Sequence, residues 1–555
     1  MTMMLLRPSC LPVRCALVGS DAWRTARRRR YRPHLLGTIL SASMQTRARG
    51  FKAVTLAIGA AMLVAACGGS DGSANLADEP EAVGTAAPEP TDPPATDAPE
   101  PEPTDPPATD APEPEPTDPP ATDAPGPGDD GVLDVPAEFT TITEAVDAAQ
   151  PGDLVLIAPG TYNEAVNVVT DEIVIRGLER EGVVLDGQFE LDNGIRVLGA
   201  RGVAVENLTV QNYTDNGVFF TGVDGYRASY VTAYRNGDYG IYAFDSVTGQ
   251  IEHSYGAGSP DAGFYIGQCY PCDAVVDNVI SEHNGLGYSG TNAGGNLIIA
   301  NSRFNNNRAG IVPNSGSYEL CYPQRQNLIV GNTVYSNNQP DTPAIDVAIL
   351  AMGNGILIPG GVGNTVERNL VYDHDRTGIG LVPFLEEGAN DDIPEQSEWD
   401  TPCSEQRLEP PATEIPESLL WDSFDNVISD NVVSDSREAD LAVEGVGQPT
   451  GELRNCWSGN TFATSAPAAL ETIAPCGTDA AAPDDAVWET EALNVLRWLG
   501  EVDSRPEPVD YETAPLPPLP DLDDMPDAAT APAQPATDVP FAIDTDAITT
   551  PVADG

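Results

Sequence analysis

Lysine is nearly missing from this chain: Lys52 is the only one in 555 residues. Positive charge of any kind is scarce, with 27 Lys and Arg against 85 Asp and Glu and a formal net charge of −58. The imbalance sharpens past residue 66. Residues 1–66 hold 11 of the basic residues and one acid, Asp21, which leaves 16 Arg against 84 carboxylates in the remainder. Such a surface repels phosphate backbones and anionic headgroups, which argues against nucleic-acid binding. Long apolar runs are lacking too. The run in residues 53–66 has about 14 residues, short of the roughly 20 that a membrane-crossing helix needs. What the chain does have is glycine (52) and proline (51), so much of its length cannot be packed core.

The short apolar run follows Arg47, Arg49 and Lys52 and ends in small residues, the layout of an export signal over 44–66. Residues 1–43 precede a complete signal that starts at Met44 and read as a mis-called start or extension. The ending Leu63-Val64-Ala65-Ala66-Cys67, before Gly68-Gly69-Ser70, resembles a bacterial lipobox. That resemblance implies lipidation of Cys67 and an exported protein anchored at the cell surface, touching the membrane only through its lipid. An ordinary cleaved signal is the alternative. Residues 67–131 form a Pro/Asp/Thr-rich stalk in which "EPTDPPATDAPEP" recurs every 13 residues, with Thr91, Thr104 and Thr117 equivalent. Residues 88–126 in a polyproline-like conformation reach roughly 120 Å. The tail, 506–555, has similar composition and is expected to be irregular.

The middle of the chain repeats. Gly217, Gly240, Gly263, Gly287, Gly310, Gly355 and Gly378 are spaced by 23, 23, 24, 23, 45 and 23 residues. After each glycine the first and third positions are mostly apolar: Val218/Phe220, Ile241/Ala243, Phe264/Ile266, Ile311/Pro313, Ile356/Ile358 and Ile379/Leu381. Period-two pairs of this kind point inward. A 23-residue unit of very short strands buries its apolar side only by stacking on its neighbours, about 4.8 Å apart. Short β-prone segments such as "VENLTV" and "RNLVYD", with Asn-rich turns, complete each unit. The pattern resembles the right-handed parallel β-helix repeats of pectin-lyase-like proteins, and implies an all-β solenoid over 132–470. Hexapeptide periodicity and LxxLxL strands, which mark left-handed helices and leucine-rich arrays, are absent. Thr141-x-x-Glu144 is a capping box for a short helix over the open end of the stack, and "DLVLIAPGTY" is expected to begin the first coil. Residues 471–505, with apolar residues at helical spacing in 486–501, are expected to cap the other end.

Three successive rungs carry Asp two residues before the glycine (Asp215, Asp238, Asp261) and an aromatic two residues after it (Phe219, Tyr242, Tyr265). The aromatics fall between inward positions and are expected to face outward as an exposed stripe. Exposed rings suit the apolar faces of sugars. Carboxylates one rung apart, about 4.8 Å, approach the separation of retaining glycosidases, and two rungs apart that of inverting ones. Catalysis by the Asp row, Ca²⁺ held by the same acids, and a purely structural ladder all stay open at this point. No cofactor is required. The signatures that the resemblance implies for enzymes are mostly missing: there is no GHG, no NTD and no lysine beyond residue 52, and "YDHD" only echoes the DPHD motif of C5-epimerases. If the chain is an enzyme, it is expected to be a polysaccharide hydrolase, lyase or epimerase.

Six cysteines follow Cys67, an even count that favours disulfides in an oxidising compartment. Cys269 with Cys272, Cys321 with Cys403 and Cys456 with Cys476 are sensible pairs. Insertions at 313–326 and 383–422, the second acidic (Glu386, Glu387, Asp391, Asp392, Glu395, Glu398), are expected to build one wall beside the shaft. Asp373, Asp375 and Arg376 border it as a secondary candidate site, while His374 is read as filling a turn slot taken by Asn306 and His283 in other rungs. The chain is thus expected to be a monomeric surface protein that binds an extracellular, neutral polysaccharide, with processing of that polysaccharide as a further expectation. A non-enzymatic structural or adhesion scaffold is the alternative.

Overall fold

The computed structural model describes residues 131–387, 389, 418–444, 453–477, 495–538 and 543–552. The export segment, Cys67, the stalk, Cys403, Asp391, Asp392, Glu395, Glu398 and residues 478–494 lie outside the described residues.

Successive strands pass in rotation to three sheets. Among the described residues, sheet A has twelve strands, sheet B ten and sheet C eleven. One coil places Thr209–Gln211 in B, Val218–Thr221 in C and Asp224–Ser229 in A. The next coil repeats it in parallel register, with Val218 opposite Ile241, Asp224 opposite Val247 and Thr209 opposite Thr232. The chain is a right-handed parallel β-helix. Its interior is the set of period-two positions: Val218, Phe220, Ile241, Ile266, Ile358 and Leu381 are at most 1 % exposed and share one core cluster.

Two devices hold the rungs in register. The repeated glycine sits where adjacent rungs approach most closely. A Cβ on Gly217 would lie 2.6 Å from the carbonyl oxygen of Gly240, and one on Gly310 would lie 2.4 Å from that of Gly355. No side chain fits there. Buried asparagines then bond along the stack. The backbone N–H groups of Asn332, Asn369 and Asn431 donate to the Oδ1 atoms of Asn369, Asn431 and Asn460 at 2.9, 2.9 and 3.0 Å. These side chains satisfy turn amides that would otherwise be buried without partners.

Helix α1 (Ile142–Ala148) closes one end. Thr141 Oγ1 accepts from Glu144 N at 3.1 Å, Glu144 accepts from Thr140 N at 3.1 Å, and Ile142, Ala145 and Val146 enter the core. The first strand is Val132–Val135, paired with Leu154–Ile157, so the stack begins one rung before "DLVLI". α2 (Asp346–Ala351) belongs to the long spacing between Gly310 and Gly355. At the far end, Leu470 of α3 (Leu470–Ile473) and Ala474 join the main core. The helix expected to cap that end lies elsewhere: α4 (Val495–Glu501) packs on the outside of sheet C. Its Trp498 is buried in a cluster with Leu357, Val382, Ala439 and Ala442, because this stretch of sheet C is apolar outward as well as inward. The tail is irregular in conformation but is seated against the shaft: Ala514, Ala528, Ala536 and Ile548 are buried.

Candidate functional site

The Asp and aromatic rows both lie on sheet C and its incoming turn. Phe219 pairs with Tyr242, Tyr242 with Tyr265, and Tyr265 with Ser289. Neighbouring rings are in contact, stacked for Phe219–Tyr242 with centroids 4.9 Å apart and tilted by 43° for Tyr242–Tyr265 at 4.7 Å. They do face away from the coil interior. They are not an exposed stripe: Tyr242 and Tyr265 are 6 % and 1 % exposed, and only Phe219 is half-buried. Segment 344–351 and α4 belong to the same apolar cluster and cover this face. Outward alternation does not reveal that cover, since the covering residues are distant in sequence.

The Asp row is a continuous backbone ladder with one more member than the sequence singled out. Asp215 N donates to Asp192 O at 2.8 Å, Asp238 N to Asp215 O at 2.8 Å and Asp261 N to Asp238 O at 3.1 Å. Asp238 and Asp261 line a cleft of about 410 Å³ with Tyr239, Ser289, Thr291, Asn314, Tyr318, Glu319 and Ile345–Val347. Asp215 is not part of that lining; it lies beside Tyr511 of the tail and helps, after burial and two nearer acids, to push that hydroxyl up to about 12.

The cleft is built by opposed segments. Sheet C supplies the floor, through Ser289 and Thr291 of strand Leu286–Thr291. The 313–326 insertion supplies one wall. There, Tyr265 Oη lies 2.8 and 2.7 Å from the two carboxylate oxygens of Glu319, and Asn292 Nδ2 donates to the Glu319 carbonyl at 2.8 Å. Burial first, and the Glu319 charge second, hold the Tyr265 hydroxyl well above its ordinary range, so it remains a donor. Its role here is to fix Glu319. Tyr318 was not singled out from the sequence. Its hydroxyl is tied inward to Asn314 Nδ2 at 2.9 Å, while the residue is 39 % exposed at the cleft. The only sequence signal for it was an aromatic residue in an insertion. The start of α2, with Asp346, forms the opposite lip.

The second insertion braces the first. Strand Phe384–Glu387 pairs antiparallel with Ser418–Trp421. The Glu386 carboxylate accepts from Ser317 N at 3.0 Å, from Ser317 Oγ at 2.8 Å and from Trp421 Nε1 at 2.8 Å. Disulfides join Cys269 to Cys272 and Cys456 to Cys476; Cys321 is also disulfide-bonded, and Cys403, the expected partner, is outside the described residues.

The secondary candidates do not converge. Asp373, near the end of strand Leu370–His374, and Asp375, in the bend after it, are exposed, with Asp373 accepting from Ser336 Oγ at 2.6 Å. Arg376 is buried, its guanidinium 4.1 Å over the Trp498 ring and 3.3 Å from Glu501. It fastens α4 and is unavailable to a substrate. His374 is buried and continues an asparagine ladder: Asn284 N bonds Asn307, Asn307 N bonds Asn337, and Asn337 Nδ2 lies 3.3 Å from His374 Nε2. Burial lowers its pKa to about 3, so it is neutral and structural. The equivalence read from spacing slips by one residue. The left-handed slot of His283 and Asn306 is taken in this rung by Asp373 (φ 61°), and His374 replaces the asparagine that follows. Among the described residues, no group of three or more His, Cys, Asp or Glu side chains is arranged to hold a metal ion.

The family described as right handed beta helix region matches residues 193–383. No curated protein matches the chain. Among solved structures, the A-module of a mannuronan C-5 epimerase from Azotobacter vinelandii is 14 % identical, covers 60 % of this chain and 92 % of its own, and has a TM-score of 0.37. An alginate lyase from a Paenibacillus species is 14 % identical over 59 % of this chain and 93 % of its own, with a TM-score of 0.32. A periplasmic alginate epimerase is 13 % identical over 60 % of this chain and 83 % of its own, also with a TM-score of 0.32.

Proposed function

We propose that this β-helix is an extracellular glycan-binding protein and that the sheet C cleft is its binding site. The observation that carries the reading is the cleft itself. An aromatic residue anchored by its hydroxyl, Tyr318, shares the lining of about 410 Å³ with residues that bear hydroxyls and carboxylates. A pyranose ring has the same duality: an apolar face to lie on a ring and hydroxyls for Ser289, Thr291, Asn314 and the acids to engage. Four carboxylates line the cleft (Asp238, Asp261, Glu319, Asp346), and the chain carries a net charge of −58. A uronate polymer is repelled there, so the ligand is a neutral polysaccharide. Export through residues 44–66, lipidation of Cys67 and the Pro/Asp stalk place the cleft at the cell surface in this reading.

Processing of the glycan is a second step of the same proposal. Of the Asp row, Asp238 and Asp261 reach the cleft, and they are the acid/base candidates. The scaffold reading has support of its own, in the burial of Tyr242 and Tyr265 beneath segment 344–351. A glycan array separates the two. Binding confined to neutral glycans supports the cleft reading; absence of binding to every glycan, with the protein folded, sinks it.

A further inference from the structure

We propose that the shaft carries a peptide-binding track, lined by arginines of sheet A and of the turns that flank sheet B, whose resident ligand is the chain's own tail. Six arginines drawn from six different coils or turns aim their guanidinium groups at main-chain carbonyl oxygens of residues 506–548. Arg308 donates to Pro506 O at 2.8 Å; Arg235 donates to Tyr511, Glu512 and Ala514 O at 3.0, 2.9 and 3.0 Å. Arg180 reaches Asp523 O at 3.1 Å, and Arg176 reaches Ala531 and Pro532 O at 2.6 and 3.1 Å. Arg227 donates to Gln534 O at 3.2 Å and Arg368 to Ile548 O at 2.8 Å.

The chemistry is that of main-chain recognition. A proline-rich extended segment leaves its carbonyls without internal partners; the tail turns on itself only locally, as at Thr513 N to Asp510 O and Thr530 N to Asp527 O, and the carbonyls that the arginines take lie mostly between those turns. A guanidinium offers five fixed donors and suits such acceptors better than an ammonium, and arginine supplies all the basic side chains of this region. Glu206 holds two of the arginines in place: Arg176 Nε bonds its carboxylate at 2.6 Å and Arg227 bonds the other oxygen. Arg176 keeps Nη1 and Nη2 for the tail, and Arg227 shares its Nη2 between Glu206 and the Gln534 carbonyl. The surface beneath is also unlike a solvated strand face. Val275, Ile298 and Val330 of sheet A form an apolar patch covered by Ile543 and Ile548, and Leu154, Val174 and Ala204 form a second, against which Ala533 packs. Apolar side chains on a sheet's outward face require such a cover. The tail enters beside Arg308, crosses sheet B, reaches Arg176 on sheet A, and returns along A to Arg368, near the opposite end of the shaft. It therefore links coils that otherwise touch only their neighbours.

Recognition of the tail is non-covalent and separable from chain connectivity. A protease recognition sequence inserted between Arg505 and Pro506 of the full chain allows the tail to be cut after folding. The cut tail is expected to co-elute with the shaft in gel filtration. A fluorescein-labelled synthetic peptide of residues 506–552 is expected to bind the cut protein saturably, in competition with unlabelled peptide. Arg235→Gln and Arg368→Gln, both at turns, should each weaken that binding by about tenfold or more, the weight of losing a charge-assisted hydrogen bond, with an unchanged circular dichroism spectrum. A tail that separates on the column, with no saturable peptide binding, overturns the proposal. Unaltered affinity in both arginine variants overturns the assignment to the arginine track.

Discussion

Tyr318 and Tyr265 border one cleft and do different work. Tyr265 is buried and spends its hydroxyl on Glu319, whereas Tyr318 is anchored by its hydroxyl and keeps its body exposed. The same contrast governs His374, which the sequence surrounds with charged residues and the fold removes from solvent. Burial lowers its pKa to about 3, against about 6.5 in the unfolded chain. Between those values the unfolded chain binds a proton that the folded chain refuses. Stability from this residue is full above pH ~6.5 and falls as the pH drops toward 3. His374→Asn removes the titration and keeps an amide in the ladder. At pH 5 the variant should gain about 2 kcal/mol on the native chain relative to the comparison at pH 7. Urea unfolding at the two pH values measures this; a stability difference that does not change with pH contradicts the buried, neutral assignment.

At the scale of elements, the stack rests on its asparagines as much as on its apolar pairs. Asn369 donates to Ile329 O at 2.9 Å and to Asn431 Oδ1 at 3.0 Å, and accepts from Asn332 N at 2.9 Å. Asn369→Ala orphans buried groups on both adjacent rungs and should cost about 1–3 kcal/mol for each, read as a lower urea midpoint with an unchanged slope. The coil was legible in the sequence because its signals are local: the glycine column, the period-two pairs at Val218/Phe220 and their successors, and the capping box at Thr141. What covers sheet C was not legible. Tyr242 and Tyr265 alternate outward as expected, but whether outward means wet is decided by Ala348, Ala351 and Trp498, far along the chain. The tail escaped for the same reason. Its Pro/Asp composition matches that of the stalk, and what distinguishes it is the placement of six arginines and two outward apolar patches on the folded shaft. The slip at His374 has another origin: spacing to the flanking glycine is not conserved between rungs of unequal length, while the left-handed turn residue marks the true register.

For the whole molecule, a solenoid of parallel coils unfolds most readily from its ends, where a rung has a single neighbour. The Cys456–Cys476 bridge closes a segment with a sequence separation of 20 residues at the far end, beside α3. Replacing both cysteines by serine should cost about 3 kcal/mol. The same exchange at Cys269 and Cys272, three residues apart, should cost clearly less. Thermal melts of the two double variants rank them, and equal losses contradict the end-closure account. The net charge of −58 also acts on the whole molecule. A charge of that sign repels anionic polymers, which is why the proposed cleft reading takes neutral glycans as its ligands.

The most direct test is a calorimetric titration of neutral and uronate oligosaccharides into the native protein, Tyr318→Ala and Tyr318→Phe. The cleft account predicts that a neutral oligosaccharide binds the native protein and Tyr318→Phe, and that Tyr318→Ala binds at least about tenfold more weakly, a loss near 1.4 kcal/mol. It predicts no uronate binding to any of the three. Equal affinity of native protein and Tyr318→Ala, or uronate binding tighter than neutral, would contradict it.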